Sequence, residues 1–210
     1  MTILALEFSS EQRSAAVARG GSILAETVES GERSVAAFAM IEKVLGRAKM
    51  EREEIETIAV GLGPGSYTGV RAAIALAQGW QLARGIKTIG VSSVAAIAEQ
   101  ARIEKLFGRV NIIVDAQRGE FYFAAYDLAQ TSQTEITPLK ILSLAEVRSR
   151  VKDGEIIIGP EAAKAFPNAR TVFPRAAAIA ALAAGRGDFL AAEKLEPIYL
   201  RETNFVKAVK

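Results

Sequence analysis

The densest set of groups able to do chemistry in this 210-residue chain is Gly61-Leu62-Gly63-Pro64-Gly65-Ser66-Tyr67-Thr68-Gly69-Val70-Arg71. It follows an apolar run and opens an alanine-rich stretch. Glycines allow a backbone to approach a ligand closely, Ser66 and Thr68 offer hydroxyls, and Arg71 offers a cation. The segment is not a Walker A loop, because the next lysine is Lys87. Neither GxGxxG nor GxSxG fits its spacing. It is therefore either a ligand loop or a tight strand-to-helix connection, with Pro64 fixing φ and Ser66 or Thr68 capping the helix. Arg71 falls in the first helical turn, where the macrodipole disfavours a cation, so an anionic partner is expected for it.

Glu7 and Asp115 each end an apolar run, Ile3–Phe8 and Val110–Val114. Carboxylates at strand ends beside a cleft suit magnesium and phosphate, and equally suit a solvated strand end. Asp115-Ala-Gln-Arg118-Gly-Glu120 sets charges of both signs around a glycine turn, which a salt-bridged hairpin would also explain. Cysteine and histidine are both absent. That removes thiolate and Ser-His-Asp catalysis, disulfides, iron–sulfur clusters and imidazole- or thiolate-bound metals, leaving only hard, oxygen-ligated ions.

The elements that must position these residues follow from periodicity. Strands are expected at 3–8, 14–18, 22–28, 56–61, 87–91, 110–114, 121–126, 134–141 and 155–158, with Gly20-Gly21 as a hairpin turn. Helices are expected at 33–48, 68–84, from Ser92-Ser93 to about 103, from Ser143 to 150, and at 161–166 and 175–185. Each half runs strand ending in an acid, two further strands, helix, strand. A duplicated α/β unit with mixed sheets follows, divided into lobes at 1–105 and 106–210. Net charge is +2 and evenly spread, so no basic stripe marks a nucleic-acid binder, although folding could gather charges. The start MTILALEFSS lacks the charged region of a signal peptide, and no apolar run reaches the ~20 residues of a membrane span, so a cytoplasmic protein is expected.

Two helices carry too much apolar surface for one stripe. In 33–48, Ala36 to Ile41 is continuous behind the stripe of Val35, Phe38, Ile41 and Leu45. In 68–84, Ala72, Leu76, Gly79 and Ala83 form one face and Ala73, Ala77 and Trp80 another. Burial inside the chain or an exposed partner surface would each account for this, and the second is favoured.

ILALEFSS, GLGPGSYTGVR, GVSSVAAIA, DAQRGEFYFAAY, IGP and LEPIYLR, in order from residue 3 to 201, resemble the TsaB (YeaZ) family of bacterial accessory subunits for threonylcarbamoyladenosine in tRNA. The resemblance implies two RNase H-like lobes of the sugar kinase, Hsp70 and actin type, the second truncated. It implies a catalytically silent relative of TsaD, the subunit that transfers the threonylcarbamoyl group to adenosine 37 and uses a histidine pair this chain lacks. Glu7 stands where the family commonly has Asp, and Arg33 where relatives often have His. The resemblance further implies a helix bundle with TsaD, or with a second copy when TsaD is absent. Its surface would be Val35, Ala36, Ala39, Met40, Lys43 and Val44 on the first helix, with Ala72, Ala75, Leu76, Gly79, Trp80 and Ala83 on the second. TsaE, an ATPase, would join, and tRNA would be touched only through the complex. No cofactor is expected; residual ATP, ADP or magnesium in a cleft formed by Glu7, Ser9, Arg71 and Asp115 stays open. The alternatives are an independent small kinase or ATPase of the same fold, with Glu7 and Asp115 on magnesium, and then a peptidase, for which the usual catalytic residues are missing.

Overall fold

The computed structural model describes residues 1–30, 37–152 and 154–200. In the first half, β1 (Thr2–Glu7), β2 (Gln12–Arg19) and β3 (Ser22–Ser30) form an antiparallel meander. Its tight turn takes Gly20 and Gly21 at positive φ, as a primed hairpin turn requires. Helix α1 (Ala37–Ala48) leads to β4 (Thr57–Gly61), α2 (Tyr67–Arg84), β5 (Lys87–Val91) and α3 (Ser93–Ile103). The second half repeats the plan with β6 (Gly108–Asp115), β7 (Glu120–Leu128), β8 (Gln133–Ser143), α4 (Leu144–Arg150), β9 (Ile156–Gly159), α5 (Ala162–Ala165), β10 (Arg170–Thr171) and α6 (Ala176–Ala183).

The two sheets have the same topology. One is ordered β3-β2-β1-β4-β5 and the other β8-β7-β6-β9-β10, with the central strand parallel to the two strands on one side and antiparallel to its meander neighbour, β2 or β7, on the other. This is the RNase H-like order in duplicate, so the expected fold of the sugar kinase, Hsp70 and actin type is the observed one. Local sequence sets several boundaries. Ser66, Ser92 and Ser143 each accept a helix-capping hydrogen bond, and Ser143 with Glu146 completes a capping box.

The helices do not respect the expected division at residue 105. The first sheet packs Leu4, Leu6, Val17, Ile58 and Val60 against α1 and α2. Its other face, with Ile3, Ala5, Ala16, Ala59 and Ile89, is covered by α6 from the far end of the chain. Conversely, Val94, Ile97, Ala98 and Ala101 of α3 cover Val110, Ile112 and Val114 of the second sheet, whose outer face takes Val147 of α4 and Ala162 and Phe166 near α5. Helices α3 and α6 thus lie between the sheets, and the 1–105 and 106–210 boundary describes the strands only. The reason is steric. Each sheet has two apolar faces, and only one can be covered by the crossover helices between its own strands. Among the described residues, no helix is long and apolar enough to cross a membrane.

Candidate functional site

The glycine-rich segment is built around the end of β1. Glu7 is fully buried, and one carboxylate oxygen accepts from the Ser9 amide at 2.7 Å. The other accepts from Ser93 Oγ at 2.7 Å, which in turn accepts from the Gly63 amide at 3.0 Å. Gly61 lacks the Cβ that would collide with the Glu7 carboxylate. Gly65 and Gly69 are likewise bare where the carbonyls of Ser9 and Phe8 press against them. Ser66 caps α2 through the Gly69 amide, and its own amide donates to the Ser9 carbonyl at 2.6 Å. The three glycines are notches that let β1 and the loop interlock, which is the tight-connection alternative of the two readings. Burial raises the Glu7 pKa, against the hydrogen bonds from Ser9 and Ser93 that lower it.

Arg71 lies a turn inside α2, and no described carboxylate pairs with it. Its guanidinium sits 4.4 Å from the Tyr67 ring centre, and Tyr67 stacks on Tyr199 at 5.5 Å. The expected anion is replaced by an aromatic face, which also attracts a cation. This stack secures the C-terminal stretch, whose Ile198 amide donates to the Leu62 carbonyl at 2.8 Å.

A cleft of about 590 Å³ opens between the two lobes at the ends of β1 and β6. Ser9 and Asp115 line it; Glu7 and Arg71 do not. Asp115 accepts from the Gln117 amide at 2.7 Å and from Gln117 Nε2 at 3.3 Å, closing the turn. Glu161, which the sequence reading missed, also lines the cleft, and one of its oxygens is buried without a described partner. Burial raises its pKa, an Asp115 backbone hydrogen bond opposes this, and the charges of Asp115 and Glu11 raise it further. Its signal was the Gly159-Pro160 stop after β9, which places the next side chain at a strand end just as β6 places Asp115.

The fold type implies a nucleotide with magnesium in this cleft, and these residues do not fit one. Glu7 is sealed and engaged, so it cannot reach an ion. Asp115 is held by Gln117, and Glu11, Asp115 and Glu161 put negative charge where phosphates would lie, with Arg13 the only lysine or arginine lining the cleft among the described residues. Among the described residues no group of three acids is arranged to hold a metal.

The second feature is an apolar groove of about 750 Å³ between α1 and α2. Ala72, Ala75, Leu76, Gly79, Trp80 and Ala83, the six α2 positions named from the sequence, line it from α2, and Phe38, 61% exposed, lines it from α1. Arg84 closes one end by hydrogen bonds to the Arg52 and Glu53 carbonyls. The α1 expectations need correction. Met40 is 1% and Val44 0% exposed, both within the core beneath the first sheet. Each such side chain contributes about 1.5–3 kcal/mol by burial and is not free for a partner. Ala39 and Lys43 do face outward, and Lys43 pairs with Glu29 at 3.2 Å. Val35 and Ala36, like Arg33, fall outside the described residues.

Comparison with known proteins gives a consistent result. A family model described as TsaD, tRNA N6-adenosine threonylcarbamoyltransferase, matches residues 11–193. The tRNA threonylcarbamoyladenosine biosynthesis protein TsaB of Escherichia coli K12 is 27% identical over 219 residues, covering 96% of this chain and 95% of its own. The protein of the same name from Bacillus subtilis is 30% identical over 155 residues, 73% of this chain and 67% of its own. The solved structure of YeaZ from Pseudomonas aeruginosa superposes with a TM-score of 0.82 at 27% identity, over 95% of this chain and 99% of that one.

Proposed function

The chain belongs to the TsaB/YeaZ branch of the TsaD family, and from that premise we propose that it is a non-catalytic subunit in the formation of N6-threonylcarbamoyladenosine at position 37 of tRNA. It acts in the cytoplasm by holding a TsaD homologue, which performs the transfer, in a complex that a TsaE homologue joins. The observation that carries this reading is the groove between α1 and α2. Six small or apolar positions of one helix and an exposed phenylalanine of the other form a concave apolar surface, the kind that marks a protein interface. Small residues such as Ala75 and Gly79 let a partner helix approach closely, as ridges-into-grooves packing requires. In the absence of TsaD, the same groove supports self-association.

Two further observations support the non-catalytic reading. No histidine or cysteine is available as base or nucleophile. The kinase alternative needs both Glu7 and Asp115 on magnesium, and Glu7 is enclosed by Ser9, Ser93 and Gly61.

The test is reconstitution with a TsaD and a TsaE homologue, threonylcarbamoyl-AMP and tRNA. Modified adenosine should form only when this chain is added, and the chain alone should neither modify tRNA nor hydrolyse ATP at an enzymatic rate. Gly79→Arg, at a position with open space around it, should leave the melt unchanged and abolish association in sedimentation. A loss of about 4 kcal/mol corresponds to a thousandfold weaker complex. Turnover by the isolated chain, or full association by Gly79→Arg, would overturn the reading. Met40→Glu, by contrast, should unfold the protein, because it puts a charge into the core.

A further inference from the structure

On the outer side of the second sheet, α4, the turn after it and β10 enclose a hollow of about 410 Å³. Arg148 comes from α4, Lys152 from the turn and Arg170 from β10, and all three are exposed. None forms an ion pair with a described carboxylate, whereas Arg19, Arg52, Arg102, Arg109, Arg175 and Arg186 each hold one at 2.5–3.3 Å. The one acid described in the wall, Glu155, is already committed. It accepts from Asn111 Nδ2 at 2.9 Å and the Lys152 amide at 3.3 Å, and pairs with Arg109 at 3.3 Å.

The C-terminal end of α4 would favour a cation at Arg148. It does not account for Arg170, which reaches the same hollow from a different element 22 residues along the chain. Glu155 offsets part of the Lys152 charge, but the like charges of Arg148, Lys152 and Arg170 around one concavity still repel one another, and an anion placed between them relieves that repulsion. Guanidinium groups suit phosphate oxygens in particular. The aromatic ring in the wall, Phe166, is buried and cannot stack on a base. A surface of this kind contacts phosphates and does not read bases.

We propose that the hollow lined by Arg148, Lys152 and Arg170 binds the phosphate backbone of the tRNA substrate and positions it without reading its sequence. This rests on the proposed function for the identity of the RNA, and it replaces the expectation that tRNA is touched only through the partner. Arg170 lies 18 residues beyond Lys152, so only folding brings it to Arg148 and Lys152, and the evenly spread charge of the chain does not mark the cluster.

The test is fluorescence anisotropy of labelled, unmodified tRNA with the complex of full-length chain and TsaD homologue, titrated between 50 and 200 mM salt. The triple variant Arg148→Gln, Lys152→Gln, Arg170→Gln is compared with the charge-matched Lys49→Gln, Lys105→Gln, Lys194→Gln. The first should bind about 10- to 100-fold more weakly at low salt, with a salt slope reduced by about 2–3, and the control should behave as wild type. In the reconstituted reaction the first should raise KM for tRNA and leave kcat unchanged. Equal losses in both triples, or none in the first, would overturn the proposal, as would binding of labelled polyglutamate, lost in the first triple, without any tRNA binding, which assigns the hollow to an acidic protein. Sedimentation separates the two readings: the first triple should still assemble with TsaD, so failure here leaves the subunit role standing.

Discussion

Glu7 and Asp115 occupy equivalent places, each at the end of the central strand of a sheet with the same strand order. One is sealed beneath a glycine loop; the other lies open to the interlobe cleft, its carboxylate accepting from Gln117 in its own turn. The neighbouring strand makes the difference. Gly61 ends β4 and leaves room for the Glu7 side chain, whereas Gly159 ends β9 and leaves room for the Ile113 carbonyl. In the first lobe the notch accommodates a carboxylate, and in the second it accommodates only backbone. Glu7 thus owes its enclosure to the glycine that faces it, whereas Gly159 faces Ile113 and leaves Asp115 without such a notch.

The most severe way to break this comparison is Gly61→Ala. A methyl there collides with a buried carboxylate, and a loss of about 3–5 kcal/mol is expected in urea melts, with Gly61→Ala, Glu7→Ala recovering part of it. Next, Glu7→Ala should cost about 3 kcal/mol, since it leaves a cavity and two orphaned donors, while Asp115→Ala should cost about 1 kcal/mol or less. The opposite order in melting experiments would mean that the two environments have been interchanged.

The pH dependence of stability sharpens the contrast. Folding raises the Glu7 pKa, so the folded protein binds its proton more tightly than the unfolded chain does. That contribution is fully present below the unfolded carboxylate pKa and is lost as pH rises through the folded value. Wild-type stability should therefore decline over that window relative to Glu7→Gln, in which the dependence should vanish; parallel curves for the two proteins would refute it. The smallest expected effect is at Glu161, where Gln removes a like charge beside Asp115 and Glu11. Stability at neutral pH should rise by at most about 1 kcal/mol, measured by calorimetry.

Much of this molecule was legible in the sequence, because its boundaries are written in local chemistry. Ser92, Ser143 and Gly20-Gly21 mark starts and turns that propensity alone identifies. The six α2 positions of the groove were also legible, since a strip of small residues is visible at helical spacing. The phase of α1 was misjudged. Its continuous apolar run let Met40 and Val44 pass for surface, although the charged positions Glu42, Lys43 and Arg47 mark the outward side and leave Met40, Ile41, Val44 and Leu45 to the sheet. Glu7 was misjudged because burial of a carboxylate depends on partners 54 and 86 residues away, Gly61 and Ser93, which no local pattern connects to it.

The placement of α6 also sets a timetable for the nascent chain. The first sheet is complete once Val91 has left the ribosome, yet the helix that shields its inner face begins at Ala176. At 5–20 residues per second, the roughly 85 intervening residues take on the order of 4–17 s to make. For that interval Ile3, Ala5, Ala16, Ala59 and Ile89 are exposed, and a chaperone or transient collapse must occupy them. An N-terminal fragment ending near residue 105 should for the same reason aggregate when expressed alone.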